Sequence, residues 1–228
     1  VMRLVIPLVQ KLLIPWIIPK KEFTKFGINS KDIISYRAID AAIIAKRKIL
    51  KKSKNMDKKN KSKTILVRTE EEYASYSTKK RLEIPIIKEI IKNFSDEEII
   101  VMGRYASQVR HLDQAFGKKI RVLGKVVDSK TLLENASVFI GSGGTMTAES
   151  ALLGIPTISY NAVPNIIEDY LVRKKLVKRE TNPKRVVISI RKALGSSNLE
   201  IKNKSKKMLD SMEDPYPILV KTIKSLLK

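Results

Sequence analysis

The chain is 228 residues long, with 43% hydrophobic residues and a formal net charge of +23. This length and composition predict a globular protein with a sizeable core and exclude wholesale disorder. The absence of cysteine excludes a disulfide framework, a thiolate metal site and a cysteine nucleophile, and a single histidine excludes a multi-histidine metal site. A chain without cysteine also fits a reducing compartment, so we expect a cytoplasmic protein.

The chain begins with an apolar segment, residues 1–19, that is interrupted by Arg3, Lys11 and prolines at 7, 15 and 19. A transmembrane helix needs about 20 nearly uninterrupted apolar residues, so we do not expect this segment to span a bilayer. It also lacks a small-residue cleavage site, which argues against a signal peptide.

Lysine-rich runs at residues 51–63, 173–185 and 202–207 carry much of the positive charge. The first run has no apolar periodicity and is predicted to be a flexible linker. Such runs attract phosphorylated substrates, anionic lipid headgroups or nucleic acid. Nucleic acid is the least favoured partner, because the runs contain few aromatic residues on which bases could stack. An anionic membrane surface, with the protein peripheral to it, and a merely solvated surface both stay open. Runs that lie together on one face, away from the binding site, would favour membrane binding, whereas scattered runs would favour a merely solvated surface.

From residue 64 onward, strand and helix patterns alternate. Strands are predicted at residues 64–68, 99–102, 120–122, 138–140 and 156–159, and helices at 80–93, 108–116, 130–135, 145–153, 166–174, 183–194 and 216–227. This alternation predicts an α/β fold with a doubly wound, Rossmann-like parallel sheet over residues 64–228. Ligands of such sheets bind beyond the carboxyl ends of the strands.

The most informative segment is a glycine-rich turn between a predicted strand and a predicted helix, with three glycines in residues 141–144. Glycines let the backbone approach a ligand closely, and the helix start offers unpaired N–H groups and the positive end of its dipole. Phosphate suits such a site, and Glu149, one turn further, could accept hydrogen bonds from ribose hydroxyls. The spacing matches neither the dinucleotide fingerprint nor a Walker loop, so on spacing alone a simple tight turn stays open.

Two arginines are predicted at the same edge of the sheet as the glycine-rich turn. Arg68 ends one predicted strand and Arg104 follows the next. A fixed cation at either position could pair with a diphosphate, while a surface salt bridge is the alternative. His111 is expected on an exposed helix face, Asp128 is expected to cap a helix, and Asn161 and Asn165 flank the site.

The turn resembles the nucleotide-sugar site in the C-terminal domain of GT-B glycosyltransferases. Ser142-Gly143 is followed by Glu149 and then by Ala-Leu-Leu-Gly-Ile-Pro at residues 151–156. Related loops occur in the N-acetylglucosaminyltransferase of peptidoglycan synthesis and in UDP-N-acetylglucosamine 2-epimerases. The loop is also similar to that of an uncharacterised family of glycosyltransferase-like proteins, a domain of unknown function. The resemblance covers residues 64–175 and is sharp only at the loop.

The resemblance implies the C-terminal domain of a GT-B architecture, with residues 1–50 as a remnant of the N-terminal domain, residues 51–63 as a linker and residues 64–228 as the nucleotide-sugar-binding domain. It implies metal-independent glycosyl transfer from a nucleoside diphosphate sugar, most of all a UDP-sugar, without a cofactor. The catalytic base of GT-B enzymes comes largely from the N-terminal domain. No catalytic residue is therefore assigned, and we expect this fragment to bind a donor but barely to turn it over.

The resemblance also implies contacts outside the glycine-rich turn. Ser75 and Tyr76, in the segment after Arg68, would face the sugar or the phosphate, and the backbone of Val126 or Val127 would read the base. The expected binding residues are therefore Gly141, Ser142, Gly143, Gly144, Thr145, Glu149, Arg68, Arg104, Ser75, Tyr76, Val126 and Val127. Two alternatives stay open: a UDP-sugar 2-epimerase, against which the scarcity of histidine argues mildly, and a non-catalytic protein that binds polyanions or a membrane surface.

Overall fold

A computed structural model describes residues 2–47, 62–71, 83–124, 128–160 and 165–227. The strands in these residues are β1 (Leu12–Pro15), β2 (Ile33–Tyr36), β3 (Thr64–Arg68), β4 (Glu98–Met102), β5 (Arg121–Leu123), β6 (Val138–Gly141), β7 (Thr157–Ser159) and β8 (Val177–Arg179). The helices are α1 (Met2–Val5), α2 (Lys21–Thr24), α3 (Ala41–Lys46), α4 (Glu83–Asn93), α5 (Ala106–Phe116), α6 (Ser129–Glu134), α7 (Thr145–Leu152), α8 (Ile166–Arg173), α9 (Pro183–Gly195), α10 (Leu199–Asp210) and α11 (Tyr216–Leu226).

Six strands form one parallel sheet in the order β5-β4-β3-β6-β7-β8. The central strands consist largely of buried apolar residues because helices cover both faces of a parallel sheet. Ile65 and Val67 pack into the core on one face, and Leu66 and Phe139 pack into the core on the other. The predicted doubly wound α/β fold is therefore confirmed.

The chain order of these strands reverses between β3 and β6. From β3 the sheet grows outward through β4 to β5, and from β6 it grows in the opposite direction through β7 to β8. The loops that leave the carboxyl ends of β3 and β6 therefore diverge to opposite faces and leave a crevice between them, which is where open α/β sheets bind ligands. Arg68 ends β3, and the glycine-rich turn follows β6.

Most predicted elements are observed with boundaries shifted by one to three residues. Among the described elements after residue 64, two were missed: β8, which has only one buried apolar residue, and α10, in which lysines obscure the apolar periodicity. The apolar periodicity of residues 80–93 predicts a buried stripe of Ile84, Ile87, Ile90 and Ile91, which is partly wrong. The buried isoleucines of α4 are Ile86, Ile87 and Ile90, whereas Ile84 and Ile91 are only partly buried.

The first 47 residues pack against the large sheet domain through α3. Strands β1 and β2 form a separate two-stranded parallel sheet with its own small apolar cluster. The buried alanines of α3 and those of α7 lie in one core cluster, where small side chains allow a close approach of the two helices. No helix within the described ranges is long and apolar enough to cross a membrane.

Candidate functional site

The glycine-rich turn has a backbone that other residues would disturb. A β-carbon built on Gly141 would lie 2.5 Å from the ring of Phe139 and 2.6 Å from Oγ1 of Thr147, which is closer than real contacts allow. Gly143 has a φ of +87°, in the left-handed region that favours glycine. The two glycines therefore hold the turn tightly against β6 and the start of α7.

The N-terminus of α7 has no side-chain cap. Its N-cap residue, Gly144, has no side chain that could accept a hydrogen bond, and Thr147 Oγ1 accepts from the Gly143 N–H instead (3.2 Å). The backbone N–H groups of Gly144, Thr145 and Met146 donate to no acceptor in the described part of the chain. These three groups point from the positive end of a helix dipole, an arrangement that binds anions.

Helix α8 contributes a side chain that holds the glycine-rich turn in place. Asn165 caps α8 by accepting from the Glu168 N–H (2.8 Å), and its Nδ2 donates to the carbonyl oxygen of Gly143 (3.1 Å). One side chain thus ties the start of α8 to the start of α7. Sequence reasoning placed Asn165 beside the site but did not predict this contact.

Arg68 and Arg104 lie at the carboxyl edge of the sheet, as predicted. Arg104 is close to the turn, because a β-carbon built on Gly144 would lie 3.6 Å from its Nη2. It is held by an ion pair with Glu71 (3.3 Å), whereas Arg68 donates to the carbonyl oxygen of Gly103 (3.2 Å). Burial, followed by the neighbouring charge of Arg104, lowers the pKa of Arg68. Arg104 therefore stands beside the turn as a fixed cation, and Arg68 lines a cleft that also contains Thr145.

Glu149 is a buried carboxylate one turn into α7, with only 4% of its surface exposed. Burial raises its pKa, and the hydroxyl of Ser129, which donates to Oε2 at 2.8 Å, opposes that shift. Ser129 is the first residue of α6, and the predicted cap of this helix is confirmed: Asp128 accepts from the Thr131 N–H (2.9 Å). Glu149 is therefore oriented by a neighbouring hydroxyl.

Two clefts meet at the glycine-rich turn, and Arg104 and Thr145 line both. One cleft, of about 570 Å³, extends past Ser129 and Glu149 toward Gly124. The other, of about 470 Å³, extends over the turn toward the N-terminal segment. A ligand seated at the turn would thus have room on both sides.

The second cleft is lined by three carboxylates in different environments. Asp40, from the N-terminal segment, accepts from the hydroxyl of Tyr36, and Glu71 is held by Arg104. Burial raises the pKa of Glu70. This side of the turn therefore has acid–base groups, one of them from the N-terminal segment, that sequence reasoning did not single out. They come from two distant parts of the chain.

The structure does not describe all of the predicted residues. Ser75, Tyr76, Val126, Val127 and Asn161 lie outside the described residues, and so do residues 51–61 of the predicted linker. His111 is exposed on α5, as expected. Within the described ranges, no three carboxylate or imidazole side chains lie close enough together to hold a metal ion.

The chain belongs to the family described as "Protein of unknown function (DUF354)", which it matches over residues 1–228. An uncharacterized protein of Methanocaldococcus jannaschii is 28% identical over 147 residues. The match covers 64% of this chain and 39% of that protein, so the chain spans well under half of its relative's length.

Solved structures of two enzyme classes share the fold. The UDP-GlcNAc 2-epimerase of Neisseria meningitidis, bound to UDP-GlcNAc, is 16% identical with a TM-score of 0.64, over 92% of this chain and 62% of that one. The spinosyn rhamnosyltransferase, complexed with thymidine diphosphate, is 15% identical with a TM-score of 0.56, over 72% of this chain and 46% of that one. At such identities the similarity establishes the Rossmann-like domain of GT-B proteins and no particular activity.

Proposed function

We propose that this chain binds a nucleoside diphosphate sugar, a UDP-sugar in the first place, as the donor half of a metal-independent glycosyl transfer. The observation that carries the proposal is the uncapped N-terminus of α7, which lies at the strand-order reversal between a fixed cation, Arg104, and a buried carboxylate, Glu149. A ligand that contacts the N-terminus of α7, Arg104 and Glu149 together must combine an anionic group with hydroxyl donors about one helical turn away.

The diphosphate would lie on the glycine-rich turn. The N–H groups of Gly144, Thr145 and Met146 would donate to its oxygens, and Arg104 would pair with the remaining charge. During transfer, negative charge develops on the departing diphosphate, and preformed donors of this kind stabilise it. The helix terminus and the arginine would thereby perform the role that a metal ion has in other transferases.

The nucleoside would extend into the cleft that contains Ser129 and Glu149. Because Ser129 already occupies Oε2, the second oxygen of Glu149 remains to accept from ribose hydroxyls. The cleft continues to Gly124, two residues before the first of the predicted base-reading residues, Val126 and Val127. Recognition of uracil by their backbone stays a prediction, as do the contacts of Ser75 and Tyr76 with the sugar or phosphate.

The sugar would then lie in the cleft that faces the N-terminal segment. We propose that residues 1–50 are the end of a preceding GT-B domain, that residues 51–63 link it to the sheet domain, and that residues 64–228 form the donor domain. The acceptor and most of the catalytic groups would come from outside this chain, so we expect donor binding with little turnover.

A UDP-sugar 2-epimerase-like reaction is the second candidate. The carboxylates Asp40 and Glu70 favour it, because both line the cleft assigned to the sugar and differ in environment. Two carboxylates beside a bound sugar can serve as the acid and the base of a proton transfer. Binding of the same donor is required by both candidates.

Calorimetric titration of UDP, UDP-N-acetylglucosamine and GDP, at about 150 mM salt to screen nonspecific attraction, tests the shared requirement. We expect saturable binding of the uridine nucleotides, weaker binding of GDP, and loss of most of the affinity in Glu149→Ala. An unchanged affinity in Glu149→Ala would refute the assignment of Glu149 to the ribose, and equal affinity for GDP and the uridine nucleotides would refute the recognition of uracil. If no nucleotide binds to a folded chain, the donor site itself is wrong.

A further inference from the structure

The edge of the large sheet opposite the glycine-rich turn is strongly basic. In a doubly wound sheet the strands begin at this edge and the covering helices end there. Lys118, Lys119 and Arg121 lead into β5 at one end of the edge. Lys174 and Lys175 lead into β8 at the other end.

The helix ends add further cations to this edge. Lys92 lies in the last turn of α4 and Lys192 in the last turn of α9, where a positive charge also complements the helix dipole. Lys174 has the same local role as the C-cap residue of α8, and its Nζ also lies 5.7 Å from the centroid of the Tyr170 ring. The dipole does not account for Lys118, Lys119 and Lys175, which follow a helix end.

A groove of about 940 Å³ lies at this edge, between the C-terminal ends of α4 and α5. Lys88 and Lys92 stand on its α4 side, and Lys118 and Lys119 on its other side, all four exposed. Among the described residues, none of these lysines pairs with a carboxylate at ion-pair distance. Two acidic residues, Glu97 and Glu98, also line the groove, and Glu98 is engaged by Arg121 (3.0 Å). The groove therefore carries a net positive charge, because its lining includes four lysines and Arg121 against two carboxylates.

We propose that this basic edge, defined by the four groove lysines together with Lys174 and Lys175, docks the protein on an anionic membrane surface. Cations lie at both ends of the edge, before β5 and before β8, with the acidic residues Asp96, Glu97 and Glu98 at the start of β4 between them. Cations at two separated positions match a broad anionic surface better than a single bound segment. Lysine, a hydrated point charge, suits attraction to headgroups that move laterally.

The aromatic residues of the groove disfavour nucleic acid as the partner. Phe94 and Phe116 line the groove but are 4% and 8% exposed, so neither ring is available for base stacking. The basic edge also lies on the opposite side of the sheet from the donor clefts. Docking through it would leave the proposed nucleotide site open to solvent, so this inference is independent of the proposed function.

Cosedimentation with vesicles tests the docking. Vesicles of phosphatidylcholine alone are compared with vesicles in which about a third of the lipid is phosphatidylglycerol. The test variant carries Lys88→Gln, Lys92→Gln, Lys118→Gln and Lys119→Gln. A control variant carries Lys21→Gln, Lys31→Gln, Lys184→Gln and Lys224→Gln, four exposed lysines away from the basic edge. Both variants lose the same net charge, so they differ only in where the charge is removed.

We expect the protein to bind only the vesicles that contain phosphatidylglycerol. The affinity for these vesicles should fall at least about tenfold in the test variant and much less in the control variant. Equal losses in the two variants would show that net charge, and not this edge, attracts the protein. Failure of the folded chain to bind anionic vesicles would overturn the proposal. So would tighter binding to a single-stranded RNA or to polyglutamate than to vesicles, because it would identify another class of partner. Melting curves of both variants verify that they fold.

Discussion

The side-chain amide of Asn165 donates to the carbonyl oxygen of Gly143 over 3.1 Å and joins the start of α8 to the glycine-rich turn. The same residue caps α8 through its oxygen. Serine is about as good an N-cap as asparagine but is too short to reach Gly143. In Asn165→Ser we therefore expect stability to stay within about 0.5 kcal/mol of wild type while the affinity for UDP falls several-fold, because the turn loses its support.

Chemical denaturation and calorimetry separate these two effects. Asn182→Ser is the matched control, since Asn182 caps α9 through the Arg185 N–H (3.2 Å) and has no contact with the turn in the described structure. It should leave UDP binding unchanged. If Asn165→Ser binds UDP as tightly as wild type does, the hydrogen bond to Gly143 has no part in shaping the site.

Gly141→Ala should destabilise the protein, because the added methyl group meets the Phe139 ring and Thr147 Oγ1 at the end of β6. Overpacking of this kind costs about 1–3 kcal/mol. In a chain of this size, each kcal/mol lowers the melting temperature by about 2–4 °C. Gly195→Ala, where a β-carbon meets nothing within 4 Å, should be neutral in the same thermal melt. Equal melting temperatures for the two variants would contradict the tight approach at Gly141.

Arg104→Ala should weaken UDP binding about 10- to 100-fold, because a charge-assisted hydrogen bond to the diphosphate is lost. Uridine has no phosphate, so its affinity should not change, and calorimetric comparison of the two ligands locates the effect. Arg121→Ala removes an arginine at the opposite edge of the sheet and should alter neither affinity. Equal weakening of uridine and UDP in Arg104→Ala would place Arg104 away from the diphosphate.

Glu149 should make stability depend on pH in a defined direction. Its folded-state pKa is raised above the ordinary value of 4.5, so the folded protein holds the proton more tightly than the unfolded chain does. As the pH rises from 4.5 through the raised pKa, the free energy of unfolding should therefore fall. Glu149→Gln removes this dependence. Urea denaturation at a series of pH values should therefore show that the free energy of unfolding of Glu149→Gln, relative to that of wild type, increases toward neutral pH.

Asp128→Asn tests a pH dependence of stability with the opposite sign, in the same series of urea denaturations. The hydrogen bond from the Thr131 N–H is the main cause that lowers the pKa of Asp128, so this carboxylate stabilises the folded protein above the unfolded pKa. That contribution is lost as the pH falls through the lowered pKa. A wild-type to Glu149→Gln difference that does not vary with pH would contradict the assigned environment of Glu149.

The elements of the sheet domain could be predicted because they depend on local patterns. Short apolar runs, a helix-capping aspartate and a glycine at a helix end each have a direct backbone reason, and Gly154, with a φ of +76°, follows the end of α7. Strand β8 and helix α10 were missed because lysines interrupt their apolar pattern, and only packing against the rest of the chain selects those structures.

The sequence by itself determined the fold class and the turn: three glycines between a buried strand and a helix, with a carboxylate one turn later. Backbone geometry and hydrogen bonding over a few residues are sufficient for that. Only the tertiary structure decided that Arg104 stands beside Gly144, that Ser129 orients Glu149 and that the lysines before β5 and β8 share one edge. These contacts join residues far apart in the chain. They depend on the order in which strands pair, which the apolar periodicity of single segments does not encode.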